Sequence, residues 1–137
     1  MWSGPGTMLA ARAIGRLELW RESAHLFRDA WEDSGLWTQD LYGATRQFVG
    51  AAHGFAGCVA ALMHEPDEDL HLRASERFKR LAVEEDGLAN WPALADAELV
   101  GRDGTIRTQW CHGARGMVAC LAEIAPVTTR TTGALTH

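Results

Sequence analysis

Gln109-Trp110-Cys111-His112-Gly113-Ala114-Arg115-Gly116-Met117-Val118-Ala119-Cys120-Leu121 repeats, in altered form, the earlier stretch Gly50-Ala51-Ala52-His53-Gly54-Phe55-Ala56-Gly57-Cys58-Val59-Ala60-Ala61-Leu62. Each copy sets a histidine immediately before a Gly-x-x-Gly turn, and each turn opens a run of small and aliphatic residues. A degenerate third copy begins the chain as Trp2-Ser3-Gly4-Pro5-Gly6-Thr7-Met8-Leu9-Ala10-Ala11, with Ser3 in the place of the first glycine. Gly6, Gly57 and Gly116 are spaced 51 and 59 residues apart, room for a helical hairpin and its two connections.

The helix after each turn is apolar on nearly every side and is expected to be buried. The helices between are amphipathic. Leu70, Ala74, Phe78 and Leu81 recur at helical spacing, while Arg73, Glu76, Arg77, Lys79 and Arg80 fill the other face. Leu26, Phe27, Ala30 and Trp31 are expected to form the matching stripe in the first unit. Buried helices alternating with half-exposed ones predict an all-α chain, a partial α/α toroid in which glycines permit sharp turns and close approach at the start of each inner helix. That arrangement puts His53, Cys111 and His112 at one end of the arc.

At 137 residues and 47% hydrophobic content the chain has the size of one domain. Three hairpins make an open arc with two apolar edges, which predicts self-association or a completing chain. A net charge of -5 without a basic cluster excludes a nucleic-acid reader. No signal-peptide pattern and no apolar run of spanning length occurs, so a cytoplasmic location and no integral membrane segment are expected. Three cysteines, an odd number, suit free or metal-bound thiols better than a disulfide framework. An outer helix is expected to start after Pro66, with Asp67, Glu68 and Asp69 in its first turn, and to stop at Gly87; Glu84-Glu85-Asp86 then form a solvated helix end. Leu99-Val100 and Thr105-Ile106 around Gly101–Gly104 suggest a small β-hairpin. The toroid-like domain is placed at 1–125 and a disordered tail at 126–137.

Cys111 sits just before a helix N-terminus, where backbone N–H groups favour a thiolate, and Zn²⁺ is the natural cation for such a ligand. Spacing alone favours the other reading, a small packed residue beside Trp110, because one cysteine is not a zinc site and the adjacent His112 is awkwardly placed to chelate the same ion. His53 is either an acid/base group working near neutral pH or a satisfied structural histidine. Cys58 and Cys120 fall inside apolar helices and are expected to be core. Trp20, Trp31 and Trp37 are expected to pack between helix layers, and Trp110 to brace the cysteine loop. No Walker loop, Gly-x-Ser-x-Gly elbow or His-Glu-x-x-His pair is present.

Gly50–Gly57, Trp110-Cys111-His112-Gly113-Ala114-Arg115-Gly116 and the approach Trp37-Thr38-Gln39-Asp40-Leu41-Tyr42-Gly43 together resemble lanthionine synthetase C-like proteins, from the start of the chain to about Glu123. The resemblance implies an α/α toroid holding one Zn²⁺ through two cysteines and a histidine. The metal activates a cysteine thiol for addition to dehydroalanine or dehydrobutyrine. It assigns Cys111 as the first zinc ligand, His53 as the acid/base residue that protonates the resulting enolate, and His112 to a supporting role. The implied partner is a dehydrated peptide or a small thiol. The later Cys-His-Gly stretch that the resemblance implies for the other two ligands does not occur in this sequence, an early aspartate has no clear counterpart, and Arg115 stands where a small residue or proline is usual. The alternative is a non-catalytic α/α repeat fragment acting as a binding or structural module.

Overall fold

A computed structural model describes residues 3–41, 43–96, 106 and 108–122. Helices α1 (Ser3–Ala13), α2 (Leu17–Asp29), α3 (Phe55–Leu62), α4 (Glu68–Leu81) and α5 (Ala114–Leu121) carry the fold. Two short antiparallel hairpins lie in the connections, β1 (Gln39–Leu41) with β2 (Ala44–Arg46) and β3 (Val83–Glu85) with β4 (Leu88–Asn90). The all-α class stands. The Leu99–Ile106 hairpin and the 126–137 tail lie outside the described residues, Ile106 apart.

Helix α3 packs against α1 on one side and α5 on the other, and α2 lies along α1. The central position of α3 matches its composition, since Phe55, Ala56, Cys58, Val59, Ala61 and Leu62 are all buried. Helix α5 buries Gly116 and Met117 on its α3 side and leaves Val118 61% exposed. At the other margin Leu9 of α1 and Ile14 just beyond it are exposed while Met8 and Ala11 are buried.

The two inner helices are opened by the same contact. Gly54 and Gly113 are their N-cap residues, so Gly57 and Gly116 both occupy the third helical position. A Cβ on Gly57 would overlap the carbonyl oxygen of Ala51, and one on Gly116 that of Trp110. In each case the obstructing carbonyl lies six residues upstream. Only a residue without a side chain lets the incoming loop lie this tightly on the first turn. The degenerate first copy does not share this contact: α1 runs unbroken through Gly4-Pro5-Gly6, and nothing lies within 4 Å of where a Cβ on Gly6 would stand. Pro5 is tolerated because it sits in the first turn, where its missing N–H has no intrahelical partner to lose.

The outer helices follow amphipathic phase, with two corrections. On α2 the buried residues are Trp20, Ala24 and Phe27, with Trp31 partly buried beyond them, whereas Leu26 is 70% exposed. The Trp20 indole sets this phase by donating to the Ala61 carbonyl of α3 at 3.0 Å. Helix α4 buries Leu70, Ala74 and Leu81 and stacks Phe78 on Trp91 at 4.4 Å, as the stripe predicts. It ends at Leu81, not Gly87. Glu84, Glu85 and Asp86 belong to β3 and its turn, where Asp86 (φ 52°) and Gly87 (φ 76°) take the two left-handed positions of a tight hairpin.

Asp67 caps α4 by accepting from the Leu70 amide at 3.0 Å and pairs with Arg28 of α2 at 3.0 Å. Asp67→Ala is expected to cost about 1–2 kcal/mol through the lost cap and to lower the melting temperature by about 4 °C in a calorimetric scan.

Candidate functional site

The two repeated loops meet. A Cβ on Gly50 would overlap the Cys111 carbonyl oxygen and stand 3.3 Å from the His112 Cα, and one on Gly116 would stand 2.8 Å from the Ala51 Cβ. The His53 loop and the Cys111–His112 loop therefore lie against each other at the shared N-terminal end of α3 and α5. The loops carrying His53 and Cys111, residues 58 positions apart in the chain, meet through this backbone contact.

Approach strands hold that end in place. The segment before the first loop pairs with the segment after Trp91: Val49 donates to the Ala93 carbonyl and Ala95 to that of Gln47, both at 3.0 Å. Phe55 and Ala56 at the start of α3 donate back to the carbonyls of Phe48 and Val49. In the second loop the Gln109 amide donates to the His112 carbonyl at 2.8 Å, and the Cys111 thiol reaches the Gln109 side-chain oxygen at 3.6 Å.

A cavity of about 300 Å³ opens beside His53. Its walls are mostly apolar, including Leu9, Phe27, Trp37 and Trp110, with His53 and Gln39 contributing polar atoms. Gln39 is buried. Cys111 and His112, both half-buried, lie beside the cavity and do not line it. Trp110 does line it, but its side chain is 61% exposed, so the loop is braced by the Trp110 backbone against Gly116 and not by the indole. Trp20 and Trp37 are fully packed, and Trp31 stacks on Trp37 at 5.1 Å beneath the Arg73 guanidinium. His64 packs edge-on against Trp20 at 5.1 Å.

All three cysteines are free thiols. Cys58 is buried in α3; burial, and then the charge of nearby Cys120, push its pKa from the usual 9.0 to about 12. Burial also raises the Cys120 thiol. Cys58 is a core residue and Cys120 packs against the core, and thiols raised in this way are poor nucleophiles. A thiol with a raised folded pKa supports folding while it is protonated, so the Cys58 contribution is complete below about pH 9 and is lost as pH climbs toward 12. Urea titrations over this range are expected to show falling stability, with a shallower fall in Cys58→Ala.

Among the described residues no three His, Cys, Asp or Glu side chains gather into a metal-holding group. Structural and catalytic zinc sites take three or four protein ligands. Cys111 alone therefore does not make a zinc site, and a metal bound here would need further ligands. No described helix is long and apolar enough to cross a membrane.

Helix α3 lies buried between α1 and α5, two of the three are opened by the same glycine contact, and amphipathic helices come between them in the chain; together they define an all-α protein built of helical hairpins. The chain belongs to the lanthionine synthetase C-like protein family, whose pattern matches residues 16–132. The match extends past Glu123, where the resemblance of motifs ends, and it leaves out the first copy, in keeping with the unbroken α1. No curated protein and no solved structure matches the chain.

Proposed function

We propose that this chain carries part of a thioether-forming site of the lanthionine cyclase type, acting on a peptide that bears a dehydrated serine or threonine and a cysteine. The observation that supports it is the contact between the two repeated loops, Gly50 against Cys111. In the reaction a thiolate sulfur adds to the β-carbon of dehydroalanine or dehydrobutyrine, the alkene electrons move onto the adjoining carbonyl as an enolate, and a proton returns to the α-carbon. His53 is assigned that protonation. Its imidazole faces a mostly apolar cavity, which suits a proton donor working on a carbon acid away from bulk water.

Zn²⁺ is part of the proposal as a partial site, with Cys111 as one sulfur ligand, His112 in support, and the remaining ligands supplied outside the described residues or by a completing chain. A bound zinc would make the incoming thiol more acidic. Incubating the chain with a dehydrated, cysteine-containing peptide tests the reading. Cyclisation leaves the peptide mass unchanged but removes one thiol from trapping by N-ethylmaleimide, and full retention of that thiol would overturn catalysis. Zinc that is bound equally by the unmodified chain and by Cys111→Ala would overturn the ligand assignment. The second reading, a non-catalytic repeat module in the cytoplasm, is favoured by the lack of a third ligand among the described residues, and thioether formation by this chain would eliminate it.

A further inference from the structure

We propose that Asn90 is a positioning residue that sets the Cys111–His112 loop, a role that rests on the reading of Cys111 as the sulfur of the site. Asn90 is the last residue of β4, paired with Val83, 21 positions before Cys111. Its side-chain oxygen accepts from the Ala114 amide at 2.9 Å and from the Trp91 amide at 2.9 Å. Its side-chain nitrogen donates to the Ile106 carbonyl at 3.2 Å.

Ala114 is the first residue of α5, so its N–H has no partner within the helix. A side chain at the N-cap position ordinarily satisfies the first turn. Here that position is Gly113, which has none, and its φ of 92° lies in the left-handed region that disfavours one. Asn90 supplies the missing acceptor from another element. With its other arm it holds Ile106, so one amide grips the chain on both sides of the loop carrying Cys111 and His112.

Asn90 is itself firmly held. The indole of the next residue, Trp91, donates to the Phe78 carbonyl of α4 at 3.0 Å and stacks on the Phe78 ring. The position of the cysteine loop is thus referred back to the outer helix α4 through a single amide. Asparagine suits the place because it offers a double acceptor and a donor on one short, uncharged group.

Hydrogen exchange on the unmodified chain tests the contact directly. The Ala114 amide is expected to exchange at least about tenfold more slowly than an open amide, and exchange at the open rate overturns the proposal. Peptide-resolved alkylation then tests positioning. Asn90→Leu, which keeps the volume and removes all three hydrogen bonds, is expected to speed iodoacetamide labelling of Cys111 about tenfold while Cys58 and Cys120 keep their rates. Asn90→Asp, which retains the acceptor, is expected to stay within about threefold of the unmodified chain. An unchanged Cys111 rate in Asn90→Leu overturns the proposal. So does a parallel rise at all three cysteines, which marks general loosening, or a failure of Asn90→Asp to preserve the rate. Neither measurement needs metal or substrate, so their failure is distinct from an absence of thioether formation.

Discussion

Gly50→Ala is expected to destabilise the chain by about 3–5 kcal/mol, the range in which a forced overlap exceeds what a packed core absorbs. The added methyl would overlap the Cys111 carbonyl oxygen and approach the His112 Cα to 3.3 Å. Both obstacles are backbone, so no side-chain rotation relieves them. The second loop must move away from the first, and the α3–α5 junction opens with it. Urea unfolding measures the loss, and a loss of this size removes much of the stability of an ordinary domain. Gly6→Ala is the matched control. Gly6 lies within a helix and has nothing within 4 Å of an added Cβ, so the substitution is expected to stabilise by up to about 1 kcal/mol. Equal costs at the two positions would show that the loop contact does not organise the fold.

His53→Ala is expected to slow thioether formation by about 10²–10⁴-fold, the usual contribution of a positioned acid/base group. The chain should remain folded, because His53 is half-buried at a cavity wall. Trapping of unreacted peptide thiol with N-ethylmaleimide over time gives the rate, and circular dichroism verifies the fold. A His53→Ala rate equal to that of the unmodified chain would remove the imidazole from the chemistry. The pair of substitutions separates the two things the junction does, since Gly50 acts on its shape and His53 on its reactivity.

The inner helices were legible because their signal is local. A Gly-x-x-Gly followed by small apolar residues states where the helix begins, and α3 and α5 start where the motif predicts; it overstates burial, because α3 is buried whereas α5 buries Gly116 and Met117 and leaves Val118 exposed. The start of α4 was equally plain from Pro66 and three acidic residues. Its end was not. Glutamates at 84 and 85 suit a solvated helix terminus as well as an exposed strand, and the Asp86-Gly87 pair, a strong hairpin signal, decides for the strand. The stripe of α2 was misphased for a different reason. Leu26 and Phe27 are both apolar, and the choice between them depends on where Trp20 finds the Ala61 carbonyl, a long-range contact that no local pattern contains. Asn90 is not legible in the sequence as part of the site because its partners, Ile106 and Ala114, are remote in the chain and are backbone groups. Such a partner leaves no residue-type signature.

Phe27, Trp37 and Trp31 form a continuous column, with Trp37 stacked between the other two at 4.9 and 5.1 Å and the Trp31 plane only 5° from it. Two indoles held this close and this parallel share their electronic excitation. The chain thereby carries a built-in optical reporter, a coupled-chromophore band in circular dichroism that vanishes once α2 and the Trp37 segment separate, even where helix content survives. Local separation of these two segments and full unfolding become distinguishable in one spectrum, without any label.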